Sequence, residues 1–262
     1  MSTTLTVGQT IDLNCDLGEG CGHDAALVPL ISSANISCGA HAGDADTIRE
    51  TLRLCAAHGV AAGAHPGYAD REHFGRRETG DDADAIARSV AAQLATFAAL
   101  AREQAVAISH VKLHGALYNR AADDADVAAA VVRTVQAFDA SLPLVGLSGS
   151  LLLAIAADAG LAVVHEVFPD RGYDGEGRLL GRGQPGAVIA APDEVAERAF
   201  MLAGLGLAKD ARGRAVMLRA DTLCLHGDRD DAVAVAQAVR ARLARAGLGV
   251  AAPAGRPAGR QA

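Results

Sequence analysis

The chain has 262 residues, of which 50% are apolar, 3% are aromatic and none is tryptophan. This length suits a single α/β barrel, and the apolar half is enough for a large core built from Ala, Val and Leu. A formal net charge of −7 argues against nonspecific nucleic-acid binding, which requires a basic surface.

The sequence carries no membrane or export signal. No stretch reaches the roughly 18 consecutive apolar residues of a membrane span, and the first nine residues lack the basic and apolar segments of a secretory signal. The cysteines are odd in number and have no disulfide-framework or zinc-finger spacing; they are Cys15, Cys21, Cys38, Cys55 and Cys224. We therefore predict a cytoplasmic protein with reduced thiols and with no membrane or nucleic-acid partner.

Short apolar runs alternate with longer helical patterns along the chain. Seven runs are predicted as strands: Thr10–Asn14, Ile31–Cys38, Val60–Ala64, Ala105–Val111, Pro143–Leu147, Ala162–Phe168 and Ala215–Leu225. Helical spacing predicts six helices, the first capped by Asp44 and ended by Gly59, the others at Ile86–Phe97, Val127–Phe138, Leu151–Ala157, Val195–Leu207 and Ala232–Leu243. This order predicts an α/β fold with a parallel sheet.

The chain is predicted to form one catalytic domain over residues 1–250. Residues 251–262 consist mostly of Pro, Gly, Arg and Ala, a composition that predicts a disordered tail. The segment Asp170–Gly186 is rich in Gly and Arg and is too long for a simple connection. We predict that it forms a loop over the functional site.

Polar residues cluster directly after six of the predicted strands. Their ionisable and amide side chains are Asn14, Asp16, Glu19, His41, Asp44, His65, Asp70, His110, Lys112, His114, Asn119, Glu166, Asp170, Arg171, His226 and Asp228. The carboxyl ends of parallel strands meet on one face of an α/β fold, and active sites form there. We therefore predict one active site that gathers residues distant in sequence.

Histidines and carboxylates in this arrangement suit two chemistries. They bind a divalent metal that activates water, for which Asp16, His41 and His65 are the candidates. Alternatively, they act as general acids and bases without a metal. Lys112 and Arg171 would then hold an anionic substrate or stabilise developing negative charge.

Several of these residues also have a structural interpretation. A single histidine is more often structural than catalytic, and Asp44 and Asp228 are each able to cap a helix. Glu166 and Arg171 are as consistent with a structural ion pair as with catalysis. The histidines outside the pattern are interpreted as structural; they are His23, His58, His73 and His165.

Arg76 and Arg77 follow the third predicted strand, in the sequence FGRR at 74–77. Because Gly75 and the nearby His65 place this pair at the functional face, we interpret Arg76 as an anion clamp rather than as a surface charge. The motifs GxxxxGK[ST], GxSxG and HExxH are absent from the sequence, and no GxGxxG motif directly follows a predicted strand. Their absence disfavours a serine hydrolase and a standard nucleotide-binding domain.

Seven segments resemble the motifs of the LamB/YcsF family, to which the bacterial 5-oxoprolinase A subunit belongs, and they occur in the family's order. They read IDLNCDLGEG at 11–20, NISCGAHAGD at 35–44, GAHPGY at 63–68, FGRR at 74–77, HGALYN at 114–119, EVFPDR at 166–171 and HGD at 226–228. The resemblance runs from about Ile11 to about Leu248. It departs at Leu113, where the family has proline, at Ala40, where it has a bulky aromatic, and at Cys21, where it often has Phe. These departures change the shape of the pocket and leave every ionisable group in place.

The resemblance implies a fold, a reaction and partners. The fold is an irregular β/α barrel related to polysaccharide deacetylases. The reaction is the ATP-dependent opening of 5-oxo-L-proline to L-glutamate, with release of ADP and phosphate. The family carries it out together with two further subunits, B and C. The expectation of ATP as a cofactor depends on the resemblance alone, because the sequence shows no phosphate-binding loop.

For that reaction, Asp16 or His41 is predicted to be the base that activates water, and His65, His114 or His226 the acid that protonates the leaving nitrogen. The residues predicted to bind substrate or phosphate are Asn14, Glu19, Arg76, Lys112, Asn119, Asp170, Arg171 and Asp228. Two other functions stay open at this point. One is a metal-dependent amidase or deacetylase that acts alone; the other is a noncatalytic scaffold for partner subunits, which the number of ionisable groups on one face disfavours.

Overall fold

The structure, a computed structural model, describes residues 9–253. Within this range the strands are β1 (Thr10–Leu17), β2 (Ser33–Ser37), β3 (Ala61–His65), β4 (Ile108–Lys112), β5 (Leu144–Leu147), β6 (Val163–Val167), β7 (Leu207–Lys209), β8 (Ala215–Met217), β9 (Thr222–His226) and β10 (Gly249–Val250). The α-helices are α1 (Asp24–Leu27), α2 (Ala45–His58), α3 (Ala83–Glu103), α4 (Gly115–Asp123), α5 (Ala125–Asp139), α6 (Leu151–Asp158), α7 (Pro192–Leu205) and α8 (Ala232–Arg245). Short 3-10 helices occupy Val28–Leu30 and Arg71–His73.

Seven parallel strands close into a barrel in the order β1, β2, β3, β4, β5, β6 and β9. The closure is made by β9, which pairs with β6 on one side and with β1 on the other. The strand β10 lengthens the barrel wall by pairing with the start of β1. The α/β barrel expected from the sequence is confirmed, with its helices packed around the outside of the strands.

Apolar and polar residues alternate along β1, and this alternation shows which side chains fill the interior of the barrel. Its odd-numbered residues are apolar and belong to the hydrophobic core between strands and helices; they are Ile11, Leu13, Cys15 and Leu17. Its even-numbered residues Asp12, Asn14 and Asp16 are polar and bond to the inward residues of other strands. Because both faces of the strand are buried, the polar half of the pattern marks the barrel interior rather than a solvated face.

The polar interior is satisfied by hydrogen bonds near the amino ends of the strands. Asp12 accepts hydrogen bonds from the hydroxyls of Ser32, Ser33 and Thr222. One level higher, the amide of Asn14 donates to Glu166 Oε1 at 2.9 Å and to Thr222 Oγ1 at 2.7 Å. Pairing of this kind is what makes buried polar groups tolerable.

Helix α2 begins and ends where the sequence predicts. The side chain of Asp44 accepts a hydrogen bond from the backbone N–H of Thr47 at 2.8 Å, and Gly59 ends the helix in the left-handed conformation with φ 65°. Asp44 is therefore a helix cap. Asp228 is not one, because the residue that precedes α8 is Asp231.

The predicted seventh strand, Ala215–Leu225, is wrong in its extent. Residues 215–217 form β8, which pairs antiparallel with β7 in a separate two-stranded sheet. Only β9 enters the barrel. The predicted strand is interrupted at Leu218, whose N–H donates a hydrogen bond to the carbonyl of Gly206. The first part of the apolar run therefore belongs to the two-stranded sheet and the last part to the barrel.

The sequence analysis did not predict helix α4, which begins directly after His114, the histidine of the HGALYN segment. Gly115 takes the left-handed conformation with φ 56°, and a Cβ there would lie 2.6 Å from the carbonyl oxygen of Gly75. The segment thus needs glycine for close contact with the loop after β3. The consequence is that His114 lies between β4 and α4, while Tyr118 and Asn119 follow on the helix.

The segment that follows β6, residues 170–189, is here named the strap. It folds back on itself through bridges that pair Arg171 with Val188 and Tyr173 with Leu179. The Arg171 guanidinium fastens its base by donating to the carbonyl oxygens of Ala187 and Leu180. The strap therefore lies at the mouth of the barrel, where a loop was predicted.

Two further predictions concern the carboxyl-terminal tail and membrane-spanning segments. Residues 251–253 have no regular structure, and the rest of the predicted tail, 254–262, lies outside the described residues. Over residues 9–253, no helix combines the length and the apolar character that crossing a bilayer would require.

Candidate active site

The carboxyl ends of the barrel strands carry a buried ion-pair network. Lys112 Nζ lies 2.8 Å from Asp16 Oδ1 and 2.8 Å from Glu166 Oε1. Burial disfavours the charge on Lys112, but the acidic groups around it, led by Asp16, together outweigh this effect and raise the pKa of the ammonium well above its usual range. Burial likewise opposes ionisation of Asp16, yet His65 and Lys112 hold the pKa of this carboxyl well below its usual range. Both groups are therefore charged at neutral pH.

The hydrogen bonds of His65 and His114 fix where their ring hydrogens lie. His65 Nδ1 is 2.9 Å from the carbonyl oxygen of Lys112, and His114 Nε2 is 2.9 Å from the carbonyl oxygen of Phe74. A carbonyl only accepts hydrogen bonds, so each of these two nitrogens carries a hydrogen. The ring nitrogens that remain are His65 Nε2 and His114 Nδ1.

These two nitrogens face each other across 3.0 Å. Asp16 Oδ2 lies 3.3 Å from His65 Nε2 and adds a third electron-rich atom. We name His65 Nε2, His114 Nδ1 and Asp16 Oδ2 the acceptor cluster. Burial, together with His41 and His65, lowers the pKa of His114 well below its usual range, so the ring is neutral. Three such atoms repel one another unless a cation or a shared proton lies among them.

The donor set of the acceptor cluster fits a divalent cation. The ligand atoms of Asp16, His65 and His114 lie within 4.8 Å of one another, and imidazole nitrogens with a carboxylate are typical ligands of zinc and similar metals. The candidates from sequence were Asp16, His41 and His65. In the structure His41 belongs instead to a neighbouring group with Glu19 and His114.

His41 and Glu19 lie behind the acceptor cluster. The His41 ring stacks on His114 with centroids 3.8 Å apart, and its Nε2 is 3.2 Å from Glu19 Oε1. Burial, with a contribution from His65, lowers the pKa of His41 to about 3. Burial and the charge of Asp16 raise the pKa of Glu19 well above its usual range. A neutral His41 beside a protonated Glu19 supports His114 from behind.

His226 and Asp170 form a second unit on the opposite side of the site. His226 Nδ1 lies 2.7 Å from Asp170 Oδ2. Burial opposes ionisation of Asp170, but His226, Arg229 and Arg171 together outweigh it and lower the pKa of the carboxyl. The charged Asp170 accepts a hydrogen bond from Nδ1 and holds the imidazole in place.

A cavity of about 370 Å³ opens between these units. Its walls come from β1, β4, β9, the start of α4 and the strap, and its polar or charged lining residues are Asp16, Arg76, Lys112, His114, Tyr118, Asn119, Arg171, Arg182 and His226. The apolar part of the wall includes Phe168, Leu179 and Leu180. The mixture of ionisable groups with an apolar wall is typical of a site for a small polar molecule.

The structure separates the residues selected from sequence into two groups. Those that line the cavity are Asp16, Arg76, Lys112, His114, Asn119, Arg171 and His226. Those that support them without lining it are Asn14, Glu19, His41, His65, Asp170 and Asp228. Among these, Asp228 Oδ2 bonds to the guanidinium of Arg76, which also lies over the Phe74 ring.

The positions of these residues in the structure change three of the roles predicted from the sequence. Asn14 lies inside the barrel and holds Glu166. Asp170 orients His226 and does not line the cavity, so its contact is with the imidazole. Glu166 and Arg171 do not pair with each other, because Glu166 neutralises Lys112 and Arg171 bonds to strap carbonyls.

Sequence reasoning gave no definite catalytic or binding role to four residues that belong to the site. Glu166 and Asn35 bind Lys112 and Asp16 from inside the barrel, and their inward register with Asn14 was the available signal. Tyr118 and Arg182 line the cavity. Tyr118 belongs to a segment already selected. Arg182 belongs to the segment predicted to form a loop over the site, but nothing in the sequence distinguished it from the other arginines of that segment.

Comparisons with known proteins agree with this fold. The family model described as LamB/YcsF family matches residues 11–257. The lactam utilization protein from Thermus thermophilus is 43% identical, with a TM-score of 0.88, over 93% of this chain and 100% of that chain. The T48 deacetylase, solved with substrate, shares the fold at 14% identity, with a TM-score of 0.52, over 95% of this chain and 94% of that chain. The match to the family model over nearly the whole length shows that this chain belongs to the LamB/YcsF family.

Proposed function

We propose that this chain hydrolyses a small cyclic amide and is the A subunit of an ATP-dependent 5-oxoprolinase, which converts 5-oxo-L-proline to L-glutamate with subunits B and C. The observation that carries the proposal is the cavity between the acceptor cluster and the His226–Asp170 unit. Membership of the family supports it, as does the relative named a lactam utilization protein.

The size of the cavity favours a small ring over a nucleotide. Its volume, about 370 Å³, is near the lower end of the roughly 300–1,000 Å³ usual for small-molecule sites. A five-membered lactam fits such a space with water beside it. Transfer of the terminal phosphoryl group of ATP to the amide oxygen, with the participation of the partner subunits, would then activate the ring, and this group would leave as phosphate. A role of the partner subunits in ATP binding agrees with the absence of a phosphate-binding loop from this sequence.

His226 is the group best placed to move protons in this reaction. Both ring nitrogens of His114 are engaged, by His65 and by the Phe74 carbonyl, whereas within residues 9–253 Nε2 of His226 has no hydrogen-bond partner. His226 would take a proton from the attacking water and return it to the ring nitrogen as the C–N bond breaks. Asp170 keeps the imidazole in the required tautomer throughout.

Lys112 and Asp16 would contribute to the reaction as charged groups in fixed positions. The ammonium of Lys112 is a fixed positive charge beside the acceptor cluster, and Asp16 contacts both Lys112 and His65. A preorganised charge at this point stabilises negative charge that develops on the amide oxygen. Unlike a flexible surface lysine, Lys112 is held by two carboxylates and needs no rearrangement during the reaction.

The test of this function is a glutamate-release assay with 5-oxo-L-proline and purified subunits. We expect glutamate only when this chain, subunits B and C, and ATP are all present, with one phosphate released for each glutamate. Omission of each component in turn is the control. Glutamate formation without ATP, or without this chain, would contradict the proposal.

A second candidate function is a metal-dependent amide hydrolase that acts alone, and the acceptor cluster favours it specifically. A divalent cation held by Asp16, His65 and His114 would supply Lewis-acid polarisation of the amide carbonyl. The family's ATP-dependent reaction and such a cation are compatible, so the two candidates differ in the need for ATP and partners. If this chain is active without ATP or partners, and a chelator abolishes that activity, the metal-dependent function is correct.

We expect the purified chain to bind close to one equivalent of zinc or a similar divalent metal. His65→Ala should lower the metal content at least about tenfold, because it removes one of three ligands. Elemental analysis after dialysis against a metal buffer measures this. His58→Ala, which changes an exposed histidine of α2, is the matched control. Equal metal content in His65→Ala and wild type would show that the acceptor cluster holds no metal.

A further inference from the structure

Four cationic side chains line the cavity, and three of them are already engaged. Lys112 is neutralised by Asp16 and Glu166. Arg76 is paired with Asp228. Arg171 donates its Nε to Ala187 and its Nη2 to Leu180, both backbone carbonyls of the strap.

Arg182 is the exception. It lines the same cavity, yet within residues 9–253 its guanidinium has neither an ion-pair partner nor a hydrogen-bond acceptor. Desolvation together with the charge of Arg76 lowers the pKa of Arg182, and Asp228 opposes this effect. A guanidinium with five unused donors beside a second arginine attracts an anion that the protein does not supply.

The strap explains how Arg182 is held at that place. Its base is fixed by Arg171 and by Tyr173, whose hydroxyl accepts a hydrogen bond from the backbone N–H of Phe168 at 2.6 Å. Its far end is tied to α4 through the ion pair of Arg178 with Asp123, 2.8 Å long. Residues 181–186 lie between Leu180 and Ala187, whose carbonyls Arg171 binds. These residues are exposed, so Arg182 reaches the rim of the cavity from a fixed frame.

We propose that Arg182 binds the carboxylate of the substrate and thereby selects lactams that carry an acidic group beside the ring nitrogen. The inference rests on the proposed lactam-opening function. Arginine matches a planar carboxylate with two parallel N–H···O bonds, and the cavity is small enough for a ring that spans from the rim to the acceptor cluster. Lys112 and Arg171, the anion-binding residues expected from sequence, are occupied and play no such part.

The test compares two lactams, 5-oxo-L-proline and 2-pyrrolidinone, which has the same ring without the carboxylate. In the three-subunit preparation, Arg182→Gln should raise KM for 5-oxo-L-proline about 10- to 100-fold with little change in kcat, the size expected for a lost charge-assisted pair. KM for 2-pyrrolidinone should stay unchanged. Arg182→Lys should recover part of the loss, and Arg212→Gln, at an exposed arginine of the turn between β7 and β8, should behave as wild type.

Three results would overturn the inference. The first is an equal effect of Arg182→Gln on both lactams, and the second is no effect on either. The third is weaker inhibition by inorganic phosphate with an unchanged KM for 5-oxo-L-proline, since that would make the bound anion a phosphate. If wild type opens neither lactam, the proposed function fails, and calorimetry with the full chain decides: binding of 5-oxo-L-proline that Arg182→Gln weakens supports the inference, and no binding overturns it.

Discussion

Replacing His226 with alanine is expected to lower the rate of lactam opening about 100- to 10,000-fold, the usual contribution of a positioned general acid–base. The reason is that His226 lines the cavity and its Nδ1 is held by Asp170 at 2.7 Å. The loss should appear in kcat, because the imidazole of His226 would act on the C–N bond that breaks. It would not contact the carboxylate by which the substrate is anchored. Steady-state kinetics with the three-subunit preparation measure it.

Two further variants separate catalysis by His226 from a structural role. Asp170→Asn should cause a smaller loss of kcat, because the ring stays in place but its tautomer is no longer fixed by a charge. His58→Ala, at an exposed helix position, should leave kcat unchanged. A His226→Ala protein that folds normally and retains more than a tenth of the wild-type kcat would assign the proton transfer to another group.

Replacing Lys112 with methionine is expected to destabilise the fold by about 3–5 kcal/mol, the usual effect of removing one partner from a buried ion pair. Lys112 is 2% exposed and lies between Asp16 and Glu166. Without it, two carboxylates face each other inside the barrel with no counter-charge. Chemical denaturation monitored by circular dichroism gives the change in the free energy of unfolding.

The sequence offers a matched control, because it contains one other lysine, Lys209. Lys209 is exposed on β7, and Lys209→Met should change the stability by less than about 0.5 kcal/mol. Adding Glu166→Gln to Lys112→Met should restore part of the lost stability, since it removes one of the two uncompensated charges. Wild-type stability in Lys112→Met would contradict the buried network.

The strands and the position of the site were predictable because each apolar run ends in a polar segment. The parallel arrangement then requires these segments to meet, and Asp16, His65, Lys112, His114 and His226 do meet at the carboxyl ends of their strands. The prediction failed at Ala215–Leu225, where a continuous apolar run is divided between two sheets by the hydrogen bond of Leu218 to Gly206. A pattern within one run does not show such a division.

The partners of the ionisable residues were not predictable in the same way. Glu166 and Arg171 are five residues apart, which suggested a pair, but alternation along β6 turns Glu166 into the barrel, where it meets Lys112. Arg182 is an arginine in a glycine-rich loop, and its place at the cavity depends on how the strap folds back over Tyr173 and Leu179. Pairings of this kind follow from barrel closure and loop packing, which involve residues far apart in sequence.

The polar interior of the barrel connects these results. Asp12, Asn14 and Asp16 alternate with apolar residues that face the helices, so a strand that reads as half exposed is buried on both faces. The interior hydrogen bonds run upward from Asp12 to Asp16 and support the charges at the mouth. The stability of the fold and the geometry of the site therefore depend on the same residues.

The most direct test of the central claim, that the lactam is opened at the acceptor cluster of this chain, is ATP-dependent glutamate release by a preparation in which only this chain is altered. With wild-type subunits B and C, Asp16→Asn should lower the rate by about 100-fold or more, since it removes the charge that joins Lys112 to His65. Assembly with the partners should be unchanged, and Asp158→Asn, at an exposed position of α6, should release glutamate as wild type does. A folded, assembled Asp16→Asn preparation with nearly normal glutamate release would contradict the account.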